Sequence, residues 1–336
     1  MLKKSLLFLS IFVLFLGLLS GCGQADNKEE TGGTDTQTVK IGYFPNLTHI
    51  ATIVALENGY FEEAFGENVK IETKTVNNGG LFMEAMATKA IDVGTVGPGP
   101  LLNFYVKNKE YHIISGAVNG GAVLVANENS GVKELTDLDG KKVAIPVIGS
   151  TQDVMLRKAL KEVNLKAKTN GGTVDLYAAA PADTASLFIQ NSVDAAATQE
   201  PWGYVLENQA NGKLLLDWDQ FAWGKESTNT VVAARQDFLK KKDLVKAYLS
   251  AHKKAVEFIQ NNPDESKEIV VKHLKDLTGK ELNADEVAAA FSRLLVTTEV
   301  NEQVIQEMAE ISEEAGYIPS SDIKGMVDLS VLKDLD

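Results

Sequence analysis

Segments patterned like β-strands alternate with segments patterned like α-helices from residue 39 to about residue 236, and this alternation constrains the fold more than any other feature. The clearest strand covers residues 69–75, where Val69, Ile71 and Thr73 alternate with charged residues. Further strands are predicted at residues 39–44, 113–118, 122–126, 143–145, 174–177, 214–216 and 230–234. Helices are predicted between several of them, including residues 50–57 and 153–163. Such alternation predicts an α/β fold with largely parallel sheets.

The chain becomes helical after about residue 237. One stripe of residues is spaced 4, 3, 4 and 3 positions apart, namely Leu244, Tyr248, Ala251, Ala255 and Phe258. This is the spacing of one helix face, and we expect the stripe to pack in the core rather than against a partner.

Two stretches of the chain echo each other, residues 81–100 and residues 183–201. In each, a helix is followed by an aspartate, Asp92 or Asp194, then by a short strand of small residues and a turn containing proline. Two lobes built on one plan would produce this echo, and 336 residues at roughly 150 per domain also suggest two lobes. The alternative is that the same order recurs by chance in α/β proteins.

Composition excludes some partners and restricts how others are held. The net charge is −13, which argues against a nucleic-acid partner because phosphates require an excess of basic residues. Only three of the 33 basic residues are arginines, Arg157, Arg235 and Arg293, so guanidinium clamps on an anion have little support. If the protein binds an anion, neutral donors must provide most of the contacts.

The N-terminus has the pattern of an export signal. Lys3 and Lys4 precede an apolar stretch, residues 6–19, which is shorter than the roughly 20 residues that span a bilayer. The sequence Leu-Ser-Gly-Cys then ends at Cys22 and resembles the lipobox of bacterial lipoproteins, which implies cleavage before Cys22 and lipidation of its thiol. The prediction is a signal peptide over residues 1–21 and a disordered tether over residues 22–38. The alternative is an uncleaved membrane anchor.

Metal and cofactor chemistry has little support in the sequence. Cys22 is the single cysteine, which excludes an internal disulfide and a cysteine-rich zinc site. The four histidines are scattered, at His49, His112, His252 and His273. No phosphate-binding loop, dinucleotide-binding motif or serine-hydrolase elbow is present in the sequence. We therefore expect no cofactor, no metal and no catalytic residue.

Candidate ligand contacts follow predicted strands. Ligands of open α/β sheets bind beyond the carboxyl ends of strands, where helix N-termini present free N–H groups. This rule selects five loops, at residues 46–49, 78–80, 97–100, 148–152 and 199–202. Together they offer backbone amides, hydroxyls, side-chain amides and an indole, a neutral donor set suited to a small oxyanion. The alternative for each single loop is an ordinary turn or helix cap.

Several motifs occur in an order that resembles one known family. They are the lipobox, the tether, and residues 41–45 (IGYFP), 59–61 (GYF), 90–94 (AIDVG), 135–144 (LTDLDGKKVA), 200–202 (EPW) and 234–239 (ARQDFL). The chain resembles, over residues 39–322, the substrate-binding proteins of ABC importers for nitrate, sulfonates, taurine and bicarbonate.

The resemblance implies a two-lobed type II periplasmic-binding-protein fold of the α/β class, with mostly parallel sheets. Lobe 1 would contain residues 39–125 and 229–336, and lobe 2 residues 126–228. Two crossing strands, near residues 123–126 and 231–234, would form the hinge.

The resemblance also implies a function without chemistry, in which a ligand closes the lobes and a membrane permease reads the closed form. The expected ligand contacts are Asn46, His49, Gly80, Gly97, Pro98, Ser150, Thr151, Gln152, Glu200 and Trp202. Glu200 is either structural or the partner of an amine. The expected partners are a small anion, the permease with its ATPase subunits, and the membrane through a lipid (palmitate) anchor. We expect a monomer on the extracytoplasmic side of the cell membrane.

The ligand remains open among several classes. Aliphatic sulfonate ranks first, because aromatic side chains near the predicted loops suit a carbon tail, and taurine, nitrate and bicarbonate follow. An alternative is uptake of a thiamine-pyrimidine precursor, which would require an aromatic sandwich and a carboxylate. Another is an enzyme similar to thiamine-pyrimidine synthases, whose cysteine cluster this sequence lacks.

Overall fold

The computed structural model of the protein describes residues 37–279 and 282–335. The predicted signal peptide, Cys22 and most of the predicted tether lie outside the described residues. The first strand begins at Gln37, so residues 37 and 38 belong to a sheet rather than to the tether, because they pair with residues 69 and 70. None of the helices in the described ranges combines the length and apolar character that a membrane span requires.

Strands occur at almost every predicted position. The described residues contain β1 (Gln37–Tyr43), β2 (Val69–Thr75), β3 (Val93–Val96), β4 (Tyr111–Gly120), β5 (Ala122–Asn127), β6 (Lys142–Ile145), β7 (Asp175–Ala178), β8 (Ala195–Gln199), β9 (Gly212–Leu216), β10 (Thr228–Arg235) and β11 (Leu294–Val296). The limits predicted for β2 are confirmed at both ends.

Helices fill the intervals and most of the C-terminal third. They are α1 (Ile50–Glu57), α2 (Tyr60–Phe65), α3 (Gly79–Ala87), α4 (Pro98–Asn108), α5 (Thr151–Glu162), α6 (Thr184–Ile189), α7 (Trp202–Gln209), α8 (Gln236–Leu239), α9 (Lys242–Asn261), α10 (Pro263–Thr278), α11 (Ala284–Ser292), α12 (Glu302–Glu314) and α13 (Ser330–Lys333). The predicted stripe on α9 is confirmed, since Leu244, Tyr248, Ala251 and Ala255 are buried and Phe258 packs against the same core.

Two sheets form the centres of two lobes. The first sheet has the order β11-β4-β10-β3-β1-β2, and the second has the order β7-β6-β8-β5-β9. One face of the first sheet packs on α1, α2, α9 and α10. A continuous apolar core joins its other face, through α3, α4 and α12, to α5 beside the second sheet. The lobes are therefore packed against each other.

The sheets are mixed rather than largely parallel. Four of the strand pairs in the described residues are parallel and five are antiparallel. The chain leaves the first sheet along β4 and returns along β10, and these neighbours run in opposite directions. The pair β5 and β9 repeats this arrangement in the second sheet. The pattern of a strand in a sequence does not show whether its neighbours are parallel or antiparallel, because both arrangements bury the same residues.

The chain passes between the sheets at Gly120–Gly121 and again through residues 217–227. Residues 122–125, which the predicted boundary assigned to lobe 1, belong to the second sheet because β5 pairs with β8 and β9. The predicted crossing residues 123–126 and 231–234 thus lie in β5 and β10. The chain passes between the sheets a few residues before each of them.

The sequence echo corresponds to one structural device used twice. The Asp92 carboxylate accepts a hydrogen bond from the backbone N–H of Lys40 at 2.9 Å, which ties the start of β3 to β1. The Asp194 carboxylate accepts from the backbone N–H of Lys142 at 2.8 Å, which ties the start of β8 to β6. The two lobes therefore share a local plan.

Candidate functional site

A cavity of about 230 Å³ lies between the two sheets. The loops after β1, β2 and β3, which are parallel in the first sheet, reach it from the first lobe. The loops after β6 and β7 and the last residue of β8, three strands that are parallel in the second sheet, reach it from the second lobe. Its lining residues are Phe44, Asn46, Thr48, His49, Asn77, Asn78, Gly79, Gly97, Pro100, Pro146, Val147, Ser150, Thr151, Gln152, Ala180, Pro181, Gln199, Asn229 and Thr230. A ligand in the cavity would contact both lobes.

Helix N-termini surround this cavity. Asn78 caps α3 by accepting from Leu81 N–H at 3.0 Å, and Ser150 caps α5 by accepting from Asp153 N–H at 3.3 Å. The first N–H groups of a helix have no acceptor inside the helix, so those of Gly79 and Thr151 are available as donors. These donors sit at the positive ends of the helix dipoles.

The N-terminus of α4 serves a different purpose. Pro98 and Pro100 have no N–H, and the N–H of Gly99 between them donates to the Thr151 hydroxyl at 3.2 Å. This hydrogen bond joins the first lobe to the second beside the cavity. A Cβ atom at Gly97 would lie 2.3 Å from the Thr151 hydroxyl, so the close approach requires glycine there.

Two side-chain amides add donors to the cavity. Asn46 Oδ1 accepts from both the N–H and the hydroxyl of Thr48, at 3.0 and 2.7 Å. Asn229 Oδ1 accepts from Gln152 Nε2 at 3.0 Å, whereas the buried Nδ2 of Asn229 has no hydrogen-bond partner among the described residues. Asn229 is 3% exposed, and an unpaired amide nitrogen at such a site is costly unless a ligand or water accepts from it.

His49 contributes a neutral ring. Burial lowers the pKa of His49 to about 3, so the imidazole carries no charge near neutral pH. Its Nδ1 hydrogen-bonds the Thr95 hydroxyl at 2.8 Å, and its ring stacks on Phe44 with centroids 4.3 Å apart. The ring position is therefore fixed by both β3 and the loop after β1.

His49, which is neutral near pH 7, is the one acidic or basic side chain among the described residues that line the cavity. The three arginines are engaged elsewhere: Arg157 with Asp153, Arg235 with Asp92 and Arg293 with Glu200, at 2.9, 2.7 and 2.5 Å. The cavity therefore offers neutral dipoles alone, as the scarcity of arginine led us to expect.

Comparisons with known proteins show the family to which this chain belongs. The sequence profile of the NMT1-like family matches residues 32–274. The chain belongs to the NMT1-like family. A protein of Bacillus subtilis (strain 168) named as an aliphatic sulfonates-binding protein is 28% identical over 286 residues, which cover 83% of this chain and 80% of that protein.

Solved structures resemble this NMT1-like protein over most of its length. The alkanesulfonate-binding protein SsuA from Xanthomonas axonopodis pv. citri, bound to MOPS, has a TM-score of 0.73 at 19% identity and covers 87% of this chain and 98% of its own. The periplasmic nitrate-binding protein NrtA from Synechocystis PCC 6803 has a TM-score of 0.71 at 16% identity and covers 89% and 88%. The predicted two-lobed α/β fold and the predicted resemblance to this family are confirmed, and the relatives named here are binding proteins.

The structure brings most of the predicted contacts of the NMT1-like protein together. The cavity lining includes Asn46, His49, Gly97, Ser150, Thr151 and Gln152. Trp202 lines an adjoining cavity of about 290 Å³. Their role as ligand contacts remains a prediction.

Three predicted contacts line neither cavity. Gly80 follows Gly79, which lines the cavity in its place, and Pro98 is buried in the first turn of α4 without an N–H to offer. Glu200 is fully buried, and its carboxylate accepts from Arg293 at 2.5 Å and from the N–H of Tyr204 at 3.1 Å. Burial raises the pKa of Glu200, and the Arg293 guanidinium opposes that rise. The carboxylate is thus committed to a structural ion pair.

Sequence reasoning missed other lining residues. Asn229 and Thr230 were overlooked because they lie in the polar first part of the strand Thr228–Arg235, whose apolar run over residues 231–234 predicted only core. Leu274 and Leu282, which line the adjoining cavity, come from the helical C-terminal part of the chain. The polar pair at positions 229 and 230, next to the apolar run, was the available signal for the first two.

Proposed function

We propose that this protein is the extracytoplasmic substrate-binding component of an ABC importer and that it captures a small oxyanion, with an aliphatic sulfonate as the first candidate and taurine, nitrate and bicarbonate behind it. The observation that carries the proposal is the cavity between the lobes, which is lined by neutral donors and by no charged side chain among the described residues.

An oxyanion fits these donors for a physical reason. Backbone N–H groups at the N-termini of α3 and α5 and the amide nitrogen of Asn229 can all donate to oxygen atoms that carry negative charge. A thiamine-pyrimidine precursor would favour a carboxylate partner, and no carboxylate lines the cavity in the described residues. The sulfonate-binding relative in Bacillus subtilis supports the same choice.

Capture works by lobe closure. Lobe contacts at the cavity include Gly99 with Thr151, Gln152 with Asn229, and Asn103 with the carbonyl of Gly149 at 3.3 Å. A ligand that touches both lobes binds the closed form more tightly than the open form and therefore shifts the population toward it. The permease, with its ATPase subunits, recognises the closed monomer and receives the ligand.

The protein is held at the outer face of the cell membrane through acyl chains, palmitate included, on Cys22. The basic residues at positions 3 and 4, the short apolar stretch and the lipobox support this anchor. Metabolic labelling with a palmitate analogue would test it, with loss of label in a Cys22→Ser variant as the expected result and equal labelling of both proteins as the contradicting one.

The proposed ligand class is tested by thermal unfolding with a panel of alkanesulfonates, taurine, nitrate, bicarbonate and a pyrimidine. At a hundred times its dissociation constant, a true ligand stabilises the protein by about 2.7 kcal/mol. We expect stabilisation by a sulfonate. A panel in which the pyrimidine alone stabilises the protein contradicts the proposal.

A further inference from the structure

Two buried hydroxyl groups lie behind the ring of His49. The Thr95 hydroxyl, on β3, is 2.8 Å from His49 Nδ1 and 3.0 Å from the Thr52 hydroxyl on α1. Thr52 and Thr95 are fully buried, and His49 is 2% exposed. The three side chains therefore form a hydrogen-bonded row that is shielded from water, and the row ends at the cavity that His49 lines.

This row determines which ring nitrogen of His49 can meet a ligand. Nδ1 is turned to Thr95 and forms the one hydrogen bond of the His49 side chain within the described residues. Nε2, on the far side of the ring, is the nitrogen that remains for a ligand. One nitrogen of a neutral imidazole carries the proton and the other accepts, so the bond at Nδ1 decides whether Nε2 donates or accepts.

Each hydroxyl proton of the row requires an acceptor. If Thr52 donates to Thr95, the proton of Thr95 goes to His49 Nδ1, and every proton of the row is paired. In the reverse direction Nδ1–H donates to Thr95 and Thr95 donates to Thr52. The proton of Thr52 must then find an acceptor outside the row, and the neighbouring phenol of Tyr248 is the candidate.

Tyr248 disfavours this reverse direction. Burial raises the pKa of Tyr248, so the phenol keeps its own proton. Its hydroxyl has no partner in hydrogen-bond geometry among the described residues, so a bond accepted from Thr52 would leave the phenol proton unpaired in the core. An unpaired buried proton is costly, whereas a phenol directed at the Thr52 oxygen leaves Thr52 free to donate to Thr95. The direction that ends on His49 Nδ1 is therefore favoured.

We propose that Thr95 and Thr52, the hydroxyl pair, are positioning residues that keep the proton of the His49 ring on Nε2 and so make the ring a hydrogen-bond donor to an oxyanion in the cavity. Neither residue of the pair lines the cavity, so both act through the ring. The choice of an oxyanion as the acceptor rests on the proposed function, whereas the position of the ring proton does not.

Nitrogen-15 NMR of the full protein, labelled in its histidine rings, tests the position of the proton without any ligand. Protonated and unprotonated ring nitrogens have widely separated chemical shifts, and a His49→Gln variant identifies which signals belong to His49. We expect Nε2 to be protonated and Nδ1 to be unprotonated at pH 7. A proton on Nδ1 overturns the proposal.

A calorimetric titration with ethanesulfonate tests the effect on binding. Thr95→Val keeps the shape of the side chain and removes the hydroxyl, so it should lower the affinity about fivefold and shift the signal of Nδ1, which loses its partner. Thr95→Ser retains a hydroxyl and should restore the affinity to within about twofold of that of the unchanged protein. An affinity of Thr95→Ser as low as that of Thr95→Val would contradict a role for the hydroxyl.

Thr198→Val is the matched control on β8 of the other lobe. Thr198 is 2% exposed and lines neither cavity, and its hydroxyl has no hydrogen-bond partner among the described residues. The change should leave both the affinity and the His49 signals as they are. An affinity loss as large as that of Thr95→Val would overturn the role assigned to Thr95, because a buried threonine without a contact to His49 would then have the same effect.

The outcomes separate this inference from the function on which it rests. Binding of ethanesulfonate with equal affinity by Thr95→Val and the unchanged protein overturns the role of the hydroxyl pair and leaves the proposed function in place. If no oxyanion of the panel binds, the proposed function fails, and with it the oxyanion as the acceptor for Nε2–H. The NMR signals of His49 then still decide the position of the ring proton.

Discussion

Single polar residues decide how the cleft of this protein holds a ligand. Ser150 and Thr151 are each 4% exposed or less, and their hydroxyls accept from Asp153 N–H and Gly99 N–H respectively. Each hydroxyl retains its own proton, which it can donate to an oxyanion. The binding role that we propose for this loop would therefore use the same hydroxyl groups that accept these hydrogen bonds.

The double change Ser150→Ala and Thr151→Ala should weaken sulfonate binding about tenfold or more, because it removes two donors to a charged acceptor. Loss of the Ser150 cap should also cost about 1 kcal/mol of stability. Asn301→Ala, which removes the cap of α12 and lines neither cavity, should cost a similar stability without affecting binding. Calorimetry and urea unfolding would measure both effects, and unchanged affinity in the double variant would remove this loop from the site.

Two buried histidines predict a pH dependence of stability. Burial lowers the pKa of His49 to about 3 and that of His252 to about 4, below the ordinary value of 6.5. Between pH 6.5 and these values the unfolded chain binds protons that the folded chain excludes, so stability is lost as the pH falls below 6.5. The loss should reach about 2 kcal/mol per histidine at pH 5.

Urea unfolding at pH 7 and pH 5 measures this loss. His49→Gln should remove roughly half of the difference in unfolding free energy between pH 7 and pH 5, because His252 is then the one that remains of the two buried histidines. A pH-independent free energy of unfolding over this range would show that neither ring is excluded from protonation in the folded protein.

At the scale of elements, sequence patterns predicted which residues of a segment are buried but not which other segment packs against them. The limits of α1 and β2 followed from spacing and alternation, which depend only on neighbouring residues. The pairing of Glu200 with Arg293 joins positions 93 residues apart, and no local pattern contains it. Six of the predicted contacts lie around one cavity because they belong to loops that follow predicted strands. Asn229 was missed because it lies within β10, the strand by which the chain returns to the first sheet.

Helices α4 and α5 meet N-terminus to N-terminus, and glycine makes this possible. Gly97→Ala would introduce a Cβ atom 2.3 Å from the Thr151 hydroxyl, so the lobes must separate slightly to accommodate it. We expect weaker ligand binding and a larger radius of gyration by small-angle X-ray scattering in the presence of ligand.

Gly131→Ala is the control for Gly97→Ala. No heavy atom lies within 4 Å of the place that a Cβ atom would take at Gly131, although the φ of 78° makes alanine locally strained there. Gly131→Ala should lower stability without changing either binding or the radius of gyration. Equal scattering curves for Gly97→Ala and the unchanged protein would contradict the displacement of the lobes.

At the scale of the whole molecule, the lobes are joined by side-chain contacts on both sides of the cleft. On one side, Arg293 bonds to Glu200 and Glu207 of the second lobe at 2.5 and 2.7 Å. On the other, the Tyr317 hydroxyl donates to Asp153 of α5 at 2.5 Å. These contacts join the two lobes around the cavity.

Arg293→Met should destabilise the protein by about 3 kcal/mol, because it leaves the fully buried Glu200 carboxylate without its cationic partner. Adding Glu200→Gln should recover part of the loss, since the uncompensated charge is then removed. Urea unfolding of the two variants measures both steps. If the double variant is less stable than Arg293→Met by the full cost of a second independent change, the two residues do not act as a pair.

The two passages between the lobes differ in length, and this difference fixes how the molecule can move. One consists of Gly120 and Gly121 and the other runs through residues 217–227. The short passage permits little separation of the strands that it joins, so it acts as a pivot. The longer passage, residues 217–227, allows the strands that it joins to move further apart. Under the proposed lobe closure, opening would be a swing about an axis near the glycine pair, in which the far rim of the cleft travels the greatest distance.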